Sequence, residues 1–247
     1  MAISRPLVRS SGLGSVNGRI RPGAEGLGGR NGGAGEGGRG AAGQAAALRA
    51  WPQARAKVSW RSEQCRMPLP DTIEQPLLPA GALTLLPLLP EHAPAMARWL
   101  FDPAVYTYLD DAPPASVQVL VERYTLWQTR RSADGSQVWL NWAVRLDAAD
   151  LLIGHVQASV LMNGQAWMAW VFDPAHWGHG HALAAVLSMI DHVVAAHGVH
   201  TGLATVEVEN LRSIRLLQRL GFVESPTRGE RDSERLYVAG VSAVPFA

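Results

Sequence analysis

The stretch VFDPAHWGHGHALAAVLSMI, residues 171–190, decides how this chain is read. It opens on the end of an apolar run, stops at Asp173-Pro174, passes through alternating glycines and histidines, and becomes apolar again at helical spacing. Leu183, Val186, Leu187, Ile190, Val193 and Val194 form one stripe, so a helix is expected over about 180–197, closed by Gly198. The first N–H groups of such a helix have no partner within it, and its dipole adds positive potential at the same point. Gly178 and Gly180 let the backbone bend so that these groups converge on an anion. Two other readings of the loop are weaker. His176, His179 and His181 offer three imidazoles, but neighbouring positions of a tight loop point apart, so no metal site is expected. A plain turn before a core helix is the other.

Working outward, Ala166–Phe172 reads as the strand before the loop, and Leu203–Val208 as the strand after the helix. Gln137–Leu146 alternates Val138, Leu140, Trp142, Val144 and Leu146 on one face, and Leu151–Met162 follows it, with Asn163-Gly164 as a tight hairpin signal. Leu83–Leu89 reads as the first strand. Glu91–Phe101 and Ser116–Arg130 read as helices, with Ala93, Met96, Ala97 and Leu100 on one stripe and Val117, Leu120, Val121 and Tyr124 on another. Asn210 caps a helix carrying Leu211, Ile214, Leu217 and Leu220, ended by Gly221; Phe222–Glu224 and Arg235–Val238 are short final strands. The order predicts a mixed α/β sheet with antiparallel hairpins and crossover helices.

The 247 residues divide by composition. Residues 1–66 carry 11 of the 22 Lys+Arg against Glu25, Glu36 and Glu63, and 14 of the 25 glycines lie between Gly12 and Gly43. Such a stretch cannot bury enough apolar area to offset its ordering entropy, and it is expected to be disordered. A nucleic-acid arm, a targeting peptide, and an upstream extension before a start at Met67 all fit it. Nucleic acid is not expected as the main partner, because that reading rests on charge alone. Residues 67–247 are expected to form one domain, with residues 67–81 as a proline-rich lead-in. The lone Cys65 excludes a disulfide framework within one chain and suits a reducing compartment, so a cytoplasmic site is expected. No apolar run reaches 18 residues, so no membrane partner is expected. No phosphate-binding G-x-x-x-x-G-K-[ST] is present, and the glycines of 12–43 follow no strand. Composition leaves monomer and homodimer open.

The block V-F-D-P-A-H-W-G-H-G-H-A, 171–182, resembles the acyl-CoA pyrophosphate loop of the GNAT N-acetyltransferases, with Trp177, Gly180 and Ala182 at the motif's Q/R-x-x-G-x-G/A positions. Tryptophan at the first position is similar to the ribosomal-protein-alanine (RimJ/RimL-like) branch. The block E-N-L-R-S-I-R-L-L-Q-R-L-G-F, 209–222, resembles the same branch and stands at the expected separation. The resemblance covers roughly 83–240 and implies a GNAT fold: about six to seven strands splayed at a V-shaped cleft and flanked by about four helices.

The resemblance also implies a chemistry. Coenzyme A would lie between strands 166–172 and 203–208. A bulge near Val171, Phe172 and Asp173 would aim N–H groups at the thioester carbonyl, and the pyrophosphate would rest on N–H groups of Trp177, Gly178, His179, Gly180, His181 and Ala182. Asn210 would hold the cofactor arm, and an amine would attack the acetyl group. Many members carry a tyrosine acid in the last helix; here that position is Leu217, and the branch suggests Ser213 instead. The glutamate base of related enzymes is missing near Trp167 and Met168, which leaves Glu207 or His155. Tyr106, Tyr108 and Asp110, with Trp142 and Trp170, would wall an acceptor site. The implied co-substrate is acetyl-CoA, the implied partner an amine: a protein N-terminus or a small molecule. A GNAT-fold protein that binds acyl-CoA without catalysis is the alternative.

Overall fold

A computed structural model describes residues 73–229 and 231–241. The expectation of disorder over 1–66 lies outside the described residues. Eight strands form one sheet: β1 (Leu78–Ala80), β2 (Leu83–Pro87), β3 (Gln137–Leu146), β4 (Leu151–Leu161), β5 (Gln165–Phe172), β6 (Thr201–Glu207), β7 (Val223–Arg228) and β8 (Glu234–Gly240). Four helices flank it: α1 (Ala93–Leu100), α2 (Val117–Trp127), α3 (His181–His197) and α4 (Leu211–Arg219). The spatial order is β1-β2-β3-β4-β5-β6-β8-β7. Consecutive hairpins make β1 to β5 antiparallel, and only the β5–β6 pair, joined by the α3 crossover, is parallel.

The alternation in β3 fixes the two faces. Val138, Leu140, Trp142 and Val144 join a core with Val186, Met189, Ile190 and Val193 of α3. Trp139 and Ala143 face the other way, into a second core with Met96 and Trp99 of α1 and Leu120, Tyr124 and Trp127 of α2. The helix ends obey local chemistry. Ser116 Oγ accepts the Val119 N–H (3.4 Å), and Gly198 ends α3 at φ 62°, a left-handed conformation that costs glycine little. α1 begins at Ala93 rather than Glu91 because a single 3-10 turn, Pro90–His92, precedes it.

The strand count exceeds the six to seven expected. β1 lies in the lead-in that its prolines marked as irregular, and β7 runs on through Pro226 to Arg228. Both are the outermost strands of the sheet, where a missing N–H leaves no ladder bond unmade. The bulge expected on β5 is also displaced. β5 pairs with β4 without a shift from Val160↔Ala166 to Gly154↔Phe172. The break lies one strand away, where Val144↔Gly154 is followed by Arg145↔Leu152 and Ile153 becomes the extra residue. The Ile153 carbonyl then accepts the Asp173 N–H at 2.9 Å, so the bulge props the end of β5 from its neighbour.

Gly154 has a packing reason. A Cβ there would lie 2.5 Å from the Phe172 ring. Gly154→Ala is expected to lower unfolding free energy by about 1–3 kcal/mol through overpacking. Chemical denaturation measures it; a variant as stable as the parent would contradict this packing.

Candidate active site

β5 and β6 pair only at Gln165↔Thr201, Ala166↔Gly202 and Trp167↔Leu203. Beyond that point β5 stays on β4 as far as Phe172, and β6 stays on β8 as far as Glu207↔Glu234. The two strands therefore splay, with no ladder between them beyond Trp167↔Leu203, and β5 turns main-chain groups into the opening. Strand alternation decides which. Asp173 donates to Ile153 on β4, so Phe172↔Gly154 is a pair that exchanges no bonds and the Phe172 N–H faces the open V, as does that of Trp170. Val171 and Asp173 point their amides at β4 instead, which corrects their expected place around a thioester carbonyl. The Phe172 carbonyl is occupied by the Trp177 indole N–H at 2.8 Å.

Below the V lies the loop. Asp173 caps the 3-10 turn Pro174–His176, accepting the Ala175 N–H at 2.9 Å and lying 3.2 Å from His176 Nδ1, so its carboxylate serves the loop's shape. The Trp177 N–H closes that turn on Pro174 O (3.3 Å) and is withdrawn from the expected anion seat. From there on the amides are open. The N–H groups of Gly178, His179, Gly180, His181, Ala182 and Leu183 meet no protein acceptor among the described residues, and the first recorded bond in the helix start runs from Ala184 N to Gly180 O (3.2 Å). Gly178 (φ 85°) and Gly180 (φ 80°) adopt left-handed conformations, and a Cβ on either would point into open space. A row of free amides at the positive end of a helix of 17 residues is chemically suited to an anion such as phosphate.

Sequence reasoning missed the far wall of this seat. Arg212, Arg215 and Arg219 of α4 line the same cavity of about 380 Å³ with Gly178, Gly180 and His181. Their spacing in L-R-S-I-R-L-L-Q-R places them on one helical face, a pattern that was legible. The Arg212 guanidinium sits 4.8 Å over the Trp177 ring, which fixes it beside the loop. A second cavity of about 340 Å³ shares Trp177, Arg212 and Arg215 and extends to Asn210, Glu209, Val105 and Tyr108. The two form one groove from the seat to the α1–α2 connection.

The three loop histidines do not converge as ligands: His179 and His181 stack at 5.7 Å, with His176 6.5 Å from His181. Burial, then His179 and His176, lower the pKa of His181. No group of three metal-ligating side chains occurs among the described residues.

Asn210 and Ser213 stand together at the start of α4, both buried, with Asn210 Oδ1 accepting the Ser213 N–H at 3.2 Å. Leu217 is core. Glu207 closes β6 and is ion-paired with Arg231. His155 stacks on Trp127 at 5.3 Å beside Asn141 Oδ1 (3.3 Å), and burial, then Arg123, lower its pKa to about 3. It is a neutral core imidazole.

The acceptor wall divides. Tyr108 lines the groove, and Asp110 lies on the same connection, ion-paired with Arg231. Tyr106 is buried with its hydroxyl donating to Leu100 O (2.9 Å), and burial raises its pKa. Trp142 is buried under α3, with Nε1 donating to Pro76 O (3.0 Å) and its ring edge on His192. Trp170 is buried in the same core. Trp142 and Trp170 are turned into the packed core by strand alternation, and Tyr106, at the end of a 3-10 turn, is packed with its hydroxyl on Leu100 O, so all three are buried away from an acceptor.

A mixed sheet opened between two parallel strands, with open helix-start amides beside the opening, is an architecture able to receive a phosphorylated ligand. The acetyltransferase (GNAT) domain family matches residues 82–223, and the chain belongs to that family of N-acetyltransferases. It is 28% identical over 142 residues to the N-acetyltransferase p20 of Bacillus licheniformis, covering 57% of this chain and 78% of that one. Its fold is similar to that of Mycobacterium smegmatis RimJ in complex with CoA-disulfide (TM-score 0.56, 22% identity, 70% of this chain and 88% of that one). It is also similar to the Salmonella typhimurium enzyme that modifies the N-terminal serine of 50S ribosomal subunit protein L7/L12 (TM-score 0.58, 13% identity, 68% of this chain and 100% of that one). No helix of the described residues is long and apolar enough to cross a membrane.

Proposed function

We propose that this protein transfers the acetyl group of acetyl-CoA to a primary amine, a protein N-terminus or a small amine, by direct attack. The observation that carries the reading is the row of open amides from Gly178 to Leu183, faced by Arg212, Arg215 and Arg219 and leading by one groove to the α1–α2 connection at Val105 and Tyr108. The donor set fits coenzyme A: main-chain N–H groups and guanidinium groups bind phosphate, and the free edge of β5 offers the Phe172 and Trp170 amides to the arm and carbonyl. When bound, acetyl-CoA supplies an activated thioester.

The chain's own residues then manage two protons. Ser213, buried in the first turn of α4, donates to the departing sulfur once a shift of that turn uncovers it, and Asn210 orients the turn. Glu207 takes the proton of the attacking amine once its ion pair with Arg231 opens. Tyr108 and Asp110 border the entry of the amine. Leu217 in place of a tyrosine acid and the engaged state of Glu207 favour a second reading, acyl-CoA binding without transfer.

The test is coenzyme A release with a panel of peptides and small amines. Transfer to at least one amine is expected, with Ser213→Ala lowering kcat by about a hundredfold at unchanged acetyl-CoA affinity. Acetyl-CoA binding without transfer to any amine would establish the second reading instead.

A further inference from the structure

The β7–β8 turn places one guanidinium against three carboxylates. Arg231 Nη1 meets Asp110, and its Nη2 meets both Glu207 and Glu234, the latter at 3.0 Å. Asp110 belongs to the α1–α2 connection, Glu207 ends β6, and Glu234 begins β8. Arg231 therefore ties the connection that borders the groove to the far side of the splayed sheet. The neighbouring charges are engaged elsewhere: Asp111 pairs with Arg123 at 3.5 Å, and Arg235 with Glu224 at 3.3 Å. Arg212 and Arg215 line the groove itself, with Glu209.

A second observation shows that this cluster is incomplete. Glu234 is 2% exposed, one oxygen on Arg231, yet among the described residues its Oε2 has no hydrogen-bond partner, and neither has the buried Arg231 Nε. A buried carboxylate oxygen without a donor is costly, so a further donor belongs there. The surroundings define its charge, since three carboxylates outweigh one guanidinium. The arginines and helix amides that suit phosphates line one end of the groove, and the carboxylate cluster meets the connection that carries Tyr108 through Asp110, two residues on.

We propose that Arg231 stands in for a cationic group of the acceptor, and that the acceptor is a primary amine carrying a second positive charge, which enters by displacing Arg231 from Asp110 and Glu207. The inference rests on the amine-transfer reading above. Arg231 is suited to such a gate: it sits at a turn, its side chain is 36% exposed, and Glu234, three residues on, holds it as it swings. The same displacement releases Glu207 to accept a proton, so the base becomes available only when a cation has arrived. Two sources supply this chemistry, a peptide with Lys or Arg beside its N-terminus and a small diamine.

The experiment measures acetyl transfer by the full chain to matched acceptors: peptides beginning Ala-Lys against Ala-Leu, and 1,5-diaminopentane against pentylamine. The dicationic member of at least one pair is expected to have a kcat/KM about tenfold higher, and the responding pair identifies the source. Asp110→Asn, an exposed change that spares the core, is expected to bring the ratio near one while acetyl-CoA affinity stays as in the parent. Arg231→Gln is expected to lower KM for the cationic acceptor, with Arg231→Lys between the two. Transfer with ratios near one in the parent, or a ratio that survives Asp110→Asn, would overturn the inference alone. No transfer to any amine despite acetyl-CoA binding would overturn the amine-transfer reading and this inference with it.

Discussion

Gly180→Val is expected to weaken acetyl-CoA binding by about a hundredfold, the effect of losing one or two charge-assisted hydrogen bonds. Gly180 holds φ 80° at the start of α3, where a β-branched residue is strained, and its Cβ would project into the space above the open amides. The backbone would relax toward negative φ and turn the Gly178 to His181 amides away from a common point. No steric clash adds to that strain, because nothing lies within 4 Å of the added atom, so the stability cost is the backbone strain of about 1–2 kcal/mol. Titration calorimetry beside a thermal melt separates the two. A variant that binds as the parent does would show that these amides hold no phosphate.

Arg215→Glu is expected to reduce acetyl-CoA affinity by about tenfold to a hundredfold, and more at low salt than at high salt. Arg215 lines both halves of the groove, so reversing its charge opposes a ligand along its length. Arg219, which lines only the seat, should give a smaller loss when changed in the same way. Measuring both variants across a salt series checks the ranking; equal affinity in all three proteins would remove α4 from the binding surface.

Much of this fold was legible because hydrophobic periodicity and turn chemistry agreed. The β3 stripe, the α2 face, the Asn163-Gly164 hairpin and the Asn210 cap stand where spacing put them, whereas the α3 face is turned toward Ala185 and Met189 and leaves Leu187 outside the core. Edge strands were the weak point. Pro79 and Pro226 read as breakers, yet an edge tolerates them, and position in the sheet is set by partners far away in sequence.

The site divided along the same line. Gly178 and Gly180 announced their conformations locally. Which amide of Val171, Phe172 and Asp173 faces the V depended on pairing with Gly154 and on the bulge at Ile153, neither readable from the loop. Trp142 shares the apolar stripe of β3, which already pointed to the core, whereas the run A-W-M-A-W-V-F is apolar on both faces and leaves the side of Trp170 open until the sheet is assembled. The Arg231 cluster joins residues 110, 207, 231 and 234, a juxtaposition that only topology supplies.

Acetyl-CoA-dependent transfer by this protein requires a seat for a diphosphate at the start of α3. Its most direct test compares the binding of acetyl-CoA and of S-acetylpantetheine, which has the same thioester and arm but no pyrophosphate. The structure predicts that acetyl-CoA binds and that S-acetylpantetheine binds about a hundredfold more weakly or not at all. Equal affinity for the two, or no affinity for acetyl-CoA, would contradict it.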